Sequence, residues 1–500
     1  MQRDETPFFE ASLNFYNKGM PLHSEKYLFD GAQLSKSLCR SPLFLLYFGQ
    51  FTHAFGLNEA ALRLSMVIPS VLTIILIYFV GEMIGGKKLG LLSSFLLSIS
   101  KLHVEHAQLI DTDGSILTFL TLLTIFFLLK LWKSNKIKYI ILSAITISTA
   151  FLVKESILLI FPPLFLYYLQ KRNLTTFFAI LTFSMLISTI SLLLFSYFSS
   201  TDFLDCSIRW ITGFVFNRTA NSDYYRNRLF QFAGVSSWDL TLPFIILFIF
   251  SIFHTLKAKK DIQRFLVYFS ITFLAFCTLI MGITKYFVPI IPVMILLLAD
   301  FILSSKILGK KEMLFIAALA LLCFISFYLL KIRTDVLFLN DFKNNLHLIA
   351  IPYILPVVPL ILYFTNYRKL AVLALIGMFI GCNIYLAQET INPLISPDYG
   401  RETIDAANFI KEHSIKEPIV TNQDIAFYSN TTYYHILAPF MSAQYLKDLI
   451  SKHSPLYVIH GTNVVIMQPD IEEFLKSNCQ KIGSEVSRNV EIFKAYKCSE

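Results

Sequence analysis

The chain has 500 residues, of which 55% are hydrophobic, 15% aromatic and only 15% charged, with a mean hydropathy of +0.59. That apolar excess is more than a soluble globular chain of this length carries, and it calls for a membrane as solvent. The net charge of +9 does not point to nucleic acid, because the basic residues gather in alternate short loops, the bias that orients membrane helices.

In chain order, residues 1–63 are too polar to cross a bilayer and read as a first outward loop. Met1 to Asn17 lack the basic start and apolar centre of a secretory signal, so the first spans are expected to act as their own insertion signal. Within this loop Pro42 to Phe55 (PLFLLYFGQFTHAF) is apolar but short, which suits a helix lying at the interface. Apolar blocks of roughly 15 to 22 residues follow, the length that crosses a ~30 Å hydrocarbon layer as a helix. About twelve spans are expected on this criterion. They lie near 64–83, 89–101, 114–132, 137–153, 156–170, 174–199, 240–257, 264–283, 286–303, 312–330, 346–364 and 370–388.

If the spans simply alternate, Lys87/Lys88, Lys130/Lys133/Lys136/Lys138, Lys171/Arg172, Lys257/Lys259/Lys260/Arg264, Lys306/Lys310/Lys311 and Arg368/Lys369 share one side, the cytoplasmic one. Residues 1–63, 102–113, 200–239, 331–345 and everything after Gln388 then face outward. The 200–239 segment mixes Arg209, Arg218, Arg226 and Arg228 with Trp210, Tyr224, Tyr225 and Trp238, which reads as headgroup-level anchoring. After Pro397 come an amphipathic stretch at 400–413, apolar runs at Pro418–Val420 and Leu456–Ile459, and helix candidates at 442–452 and 470–478, the pattern of a small α/β domain. The chain thus divides into a first extracytoplasmic loop (1–63), a transmembrane domain (64–388) and an extracytoplasmic α/β domain (389–500). Cys206, Cys277, Cys323 and Cys382 have no metal-ligand spacing and read as core packing. Cys479 and Cys498 lie in the outward domain, where an oxidising compartment allows a disulfide, with reduced spectators as the alternative.

Carboxylates are scarce in the spans, so those near the outer face carry the chemistry. One cluster is Asp4-Glu5; the other is Asp111-Thr112-Asp113-Gly114, directly before a span. An Asp at that position can merely cap a helix through its side-chain acceptor and the dipole. Beside outward cations it gains a second reading: a carboxylate takes a proton from an attacking hydroxyl while cations hold a phosphate leaving group. The cations are Arg40, Lys154 and Lys285, and for the last two snorkelling to water from a span end is the ordinary alternative.

Asp4-Glu5-Thr6, Arg40-Ser41-Pro42-Leu43, Gly56-Leu57 with Arg63-Leu64, Asp111-Thr112-Asp113, Lys154 before Pro162, and Lys285-Tyr286-Phe287-Val288-Pro289 resemble, in that order and spacing, the polyprenyl-phosphate-sugar transferases of the GT-C superfamily. The likeness is to glycosyltransferase family 39, with its protein O-mannosyltransferases and lipid A aminoarabinose transferases, and it covers residues 1 to about 300. The resemblance implies a multi-pass α-helical fold in the cell membrane with an active site at the outer face. It also implies a polyprenyl-phosphate-linked sugar donor and inversion at the anomeric centre. It assigns Asp4, with Glu5 beside it, as the catalytic base, carries a second catalytic acid onto Asp113 with Asp111 behind it, and implies that Arg40, Lys285 and Tyr286, together with Lys154, hold the donor phosphate. Relatives place a spanning helix before the Asp-Glu pair, so an apolar block of about 20 residues is expected in frame upstream of Met1.

The chemistry is consistent with that assignment. A hydroxyl is a weak nucleophile near neutral pH, so a carboxylate in hydrogen-bond reach helps as oxocarbenium-like charge develops. A lipid phosphate leaves already anionic, so fixed cations matter more than a protonating acid. Acid pairs can bind a divalent metal ion or act without one, which leaves that cofactor open. The acceptor, whether protein hydroxyl, lipid headgroup or growing glycan, is open too. The rival classes are a transporter, which would show repeats and mid-bilayer charges, and a non-catalytic membrane scaffold.

Overall fold

A computed structural model describes residues 41–55, 59–199, 241–258, 261–276, 284–304, 367–395, 401–415, 419–421, 433–435, 443–461, 469–487 and 490–498, with a few isolated positions besides. The described residues fall into two compact units, one built on Phe51–Ile391 and one on Asn392–Glu500.

The larger unit is helical. Its elements are α1 (Pro42–Phe55), α2 (Glu59–Gly85), α3 (Lys87–Ser98), α4 (Lys101–His106), α5 (Ser115–Ser134), α6 (Ile137–Val153), a 3-10 helix (Glu155–Ile160), α7 (Phe161–Gln170), α8 (Leu174–Phe198), α9 (Leu242–Ala258), α10 (Asp261–Phe276), a second 3-10 helix (Thr284–Ile290), α11 (Ile291–Ser304) and α12 (Arg368–Ile395). Among the described residues five stretches are long and apolar enough to cross a membrane: Arg63–Gly85, Ser115–Ser134, Leu174–Phe198, Tyr286–Ser304 and Arg368–Gln388. Ile137–Val153, Glu155–Gln170 and Leu242–Ala258 are shorter apolar helices. The block expected near 89–101 is the 12-residue α3, which rises about 18 Å against the ~30 Å of a hydrocarbon core. The blocks expected at 312–330 and 346–364 lie almost wholly outside the described residues.

Burial sorts these helices into layers. Every residue of α11 from Ile291 to Ile302 is buried, as expected of a helix apolar on all sides at the centre of a bundle. Ile295 and Leu297 share one core with Ile77, Leu128, Phe265 and Phe269 from α2, α5 and α10. In contrast α8 exposes Phe178, Met185, Leu186, Leu193 and Leu194, an apolar outer face that suits lipid. Some hydroxyls inside the bundle bond backbone carbonyls, which suits a medium without water: Thr124 Oγ1 donates to Leu120 O, and Ser148 Oγ donates to Ser184 O across to α8 at 2.8 Å. α2 and α3 approach through glycines. A Cβ on Gly81 would stand 2.8 Å from Gly90 Cα, and one on Gly90 would stand 2.5 Å from Tyr78 O, so neither position has room for a side chain.

The smaller unit contains α13 (Arg401–Glu412), β1 (Ile419–Thr421), β2 (Tyr433–His435), α14 (Ala443–Lys452), β3 (Leu456–Gly461), α15 (Pro469–Asn478), β4 (Cys479–Ser487) and β5 (Val490–Cys498). The strands form one mixed sheet in the order β2-β1-β3-β5-β4, with parallel pairs β1·β2 and β1·β3 and antiparallel pairs β3·β5 and β4·β5. Period-two alternation sends Val420, Val458 and Tyr496 to one face, against Leu446 and Leu449 of α14 and Ile471 and Leu475 of α15. It sends Ile419, Ile459 and Ala495 to the other face, against Ala406 and Ile410 of α13. Cys479 lies opposite Cys498 in the β4·β5 register with a Cα–Cα distance of 4.4 Å, and the two form a disulfide. That spacing belongs to the closer, non-hydrogen-bonded pairs of an antiparallel ladder.

Candidate active site at the breaks between helices

Three interruptions of helical structure meet in the larger unit. The first is the turn between α4 and α5. Asp111 Oδ1 accepts the backbone N–H of Asp113 at 3.2 Å, and Asp111 O accepts that of Gly114 at 3.3 Å, a local Asx-turn arrangement. A Cβ on Gly114 would lie 3.3 Å from Asp111 O and 3.5 Å from His106 O, so glycine lets the turn close. Ser115 Oγ donates to His106 O at 2.8 Å and ties the turn back to α4. The second interruption is Lys154, extended at φ −159° and ψ 135° between the end of α6 and the 3-10 helix that follows. The third is the 3-10 helix Thr284–Ile290, where Pro289 removes a ladder donor ahead of α11.

These breaks bring two predicted residues into contact and a third alongside. Asp113 Oδ2 lies 2.9 Å from Lys154 Nζ, and the two side chains are 2% and 4% exposed. The Lys154 ammonium also stands 5.6 Å from the centroid of the Tyr286 ring, within cation–π range. Both ordinary alternatives for these residues are therefore corrected. Asp113 does not cap α5, since Gly114 occupies the N-cap and no side chain bonds there. Lys154 does not snorkel to water, since it is buried against a carboxylate. Asp111 shapes the turn from its own backbone-directed Oδ1. The backbone of Lys285 sits in the second 3-10 helix beside Tyr286, while its side chain, like Asp4, Glu5 and Arg40, lies outside the described residues. Among the described residues no three His, Cys, Asp or Glu side chains gather into a metal-holding group.

A polar layer that sequence reasoning left aside supports the turn. Lys101 and Glu105 of α4 pair at 3.2 Å, and the Lys101 backbone N–H donates to Asn383 Oδ1 of α12 at 2.9 Å. His103 Nε2 meets Ser70 Oγ of α2 at 2.9 Å. Burial pushes the His103 imidazole down to about 4, with the neighbouring His106 adding to the effect and the Ser70 contact opposing it. The Arg63 guanidinium donates to Gln108 O just before the turn. The Lys-x-x-x-Glu spacing in KLHVEH was the available signal for the first of these pairs.

Residues 40–199 match the family described as dolichyl-phosphate-mannose-protein mannosyltransferase, a stretch that contains Arg40, Asp111, Asp113 and Lys154. An uncharacterized protein of Aquifex aeolicus (strain VF5) is 27% identical over 263 residues, so the match spans about half of this chain and about half of that relative (52% of each). Among solved structures, ArnT from Cupriavidus metallidurans in the apo state is similar with a TM-score of 0.62 at 14% identity, over 98% of this chain and 93% of that one. The same protein bound to undecaprenyl phosphate gives 0.60 at 14% identity and the same coverage. The apo oligosaccharyltransferase of Archaeoglobus fulgidus gives 0.51 at 11% identity, over 96% of this chain and 69% of that one. The chain is thus a helical membrane protein whose fold is similar to that of ArnT and whose residues 40–199 resemble the mannosyltransferase family.

Proposed function

We propose that the chain is an inverting glycosyltransferase that moves a sugar from a polyprenyl-phosphate carrier to an acceptor hydroxyl or phosphate at the outer membrane face. The observation that carries this reading is the buried Asp113–Lys154 pair beside Tyr286, placed where three apolar helical stretches break. A lysine held this way is a fixed positive charge in a low-dielectric surrounding, the arrangement that stabilises developing anionic charge most strongly.

In the proposed reaction the acceptor oxygen forms a bond to the anomeric carbon while the bond from that carbon to the phosphate oxygen breaks. The electron pair leaves with the polyprenyl phosphate, and Asp4, with Glu5 beside it, takes the acceptor proton. Lys154 receives the departing phosphate together with Arg40, Lys285 and Tyr286. Asp113, set by the Asp111 turn, keeps the ammonium aimed by occupying one of its three N–H donors. The polyprenyl tail stays in the bilayer, with α1 as one wall of a lateral entrance, and the site and the 389–500 domain are extracytoplasmic. Support comes from the 40–199 family match and from the fold of ArnT, a protein whose solved complex holds undecaprenyl phosphate.

Membranes containing the full chain, given labelled polyprenyl-phosphate sugars, are expected to move the label to an acceptor. Asp4→Asn is expected to lower that transfer about 100-fold or more. Unchanged transfer by Asp4→Asn removes Asp4 as the base, and absence of transfer by the unaltered chain across all donors contradicts the reading as a whole.

A further inference from the structure

Directly after Lys154, the first two residues of the 3-10 helix Glu155–Ile160 are polar in an otherwise apolar run, ESILLI followed by FPPLFL. Glu155 is buried, with 7% of its surface exposed. Its Oε2 and the Ser156 Oγ are both buried with no hydrogen-bond partner among the described residues. Among those residues Glu155 also joins no ion pair, although Lys154 is its chain neighbour and pairs with Asp113 instead. A carboxylate oxygen and a hydroxyl withdrawn from solvent without partners are unfavourable. Two in succession at the break that carries Lys154 mark a place prepared for a polar group from outside the chain.

We infer that Glu155, with Ser156, binds the sugar ring of the donor, an inference that rests on the glycosyltransferase reading. An ionised carboxylate only accepts hydrogen bonds, so its partner must be a donor. A phosphate is excluded as that partner by like charge, whereas ring hydroxyls or an amino substituent of a sugar supply N–H or O–H groups. The sugar is bonded to the phosphate that Lys154 holds in this reading, which brings its hydroxyls near the residues flanking Lys154. Ser156 serves as a second, neutral partner. Glu155 is thus a specificity determinant: it selects sugars that present a donor at the matching ring position.

The test uses the full chain in detergent or vesicles, a panel of undecaprenyl-phosphate-linked hexoses and pentoses, the monodeoxy forms of whichever sugar is transferred, and sugar-free undecaprenyl phosphate as a binding probe. For the unaltered chain, one deoxy donor is expected to fall about 10- to 100-fold in kcat/KM, the range for a hydrogen bond to a charged group. Glu155→Ala is expected to lose a similar factor on the complete sugar, to treat that deoxy donor no worse than the complete one, and to bind sugar-free carrier as before. Glu155→Gln is expected to recover part of the loss. Equal losses by Glu155→Ala on every donor, or weakened binding of the sugar-free carrier, overturn the inference and leave Glu155 a structural residue. If the unaltered chain transfers no sugar yet binds the sugar-free carrier, the transferase reading falls and takes this inference with it, an outcome distinct from the preceding one.

Discussion

Asp113 and Lys154 each lie almost wholly out of water at 2.9 Å from one another, so removing either one strands the other as a buried charge. The expected destabilisation of Lys154→Ala or Asp113→Ala is about 3–5 kcal/mol. The double variant should lose less than the sum of the two, because neither charge is then left alone. Thermal unfolding of the four proteins in detergent checks this, and additive losses would mean the pair is not coupled. His103 gives a second prediction at this scale. Burial holds it neutral to about pH 4, so the unfolded chain takes up a proton near the ordinary 6.5 while the folded chain does not. Stability is therefore lost as pH falls from about 6.5 to about 4 and levels off below, an effect of about 3 kcal/mol. Melting curves across that range should flatten in His103→Gln. From the sequence, the types of residue at the site were legible: acids and bases are rare in this chain's apolar stretches and therefore conspicuous. The partner of each was not, since Asp113 and Lys154 are 41 positions apart and only packing of the broken helices joins them. For the same reason snorkelling and helix capping stood in the sequence as alternatives to the functional readings of Lys154 and Asp113.

The helices were legible in proportion to their apolar length. α5 and α8 (Ser115–Ser134 and Leu174–Phe198) closely match the expected blocks at 114–132 and 174–199, because an uninterrupted apolar run has few other outcomes in a membrane. The breaks were less legible. The block expected at 156–170 is a 3-10 helix that continues into α7, a hydrogen-bonding change to which hydropathy is blind. Close helix contacts were likewise hidden, as α2 and α3 show. Substituting Leu for Gly81 or Gly90 places a side chain where a Cβ alone would already meet backbone at under 3 Å. Either change should separate the α2–α3 pair and lower the yield of folded protein, whereas Leu at the exposed Ile75 of the same helix should be tolerated; size-exclusion profiles in detergent distinguish the two. At the turn before α5, Ser115→Ala removes the bond to His106 O at a cost of about 1 kcal/mol and should weaken carrier binding less than Lys154→Ala does.

At the largest scale, composition alone led to a membrane protein, and the buried α11 together with the exposed apolar face of α8 is the structural form of that excess of apolar residues. Topology was beyond it: a five-stranded order of β2-β1-β3-β5-β4 depends on pairings across long separations, although the helix candidates at 442–452 and 470–478 match α14 and α15 within a residue. The disulfide was likewise left open by the sequence, because Cys479 and Cys498 become neighbours only through the β4·β5 register. Replacing both cysteines by serine should destabilise the smaller unit by about 3 kcal/mol, the closure entropy of a loop of this order, while leaving carrier binding by the chain intact. Protease resistance of that unit, followed with and without reductant, checks this.

A phosphate meeting the buried lysine is the step on which the proposed transfer depends, and equilibrium binding of sugar-free undecaprenyl phosphate to the purified full chain measures it directly. Saturable binding by the unaltered chain, weakened about tenfold or more by Lys154→Ala and less by Lys154→Arg, is the predicted result. Equal affinity in the unaltered chain and in folded Lys154→Ala would contradict it.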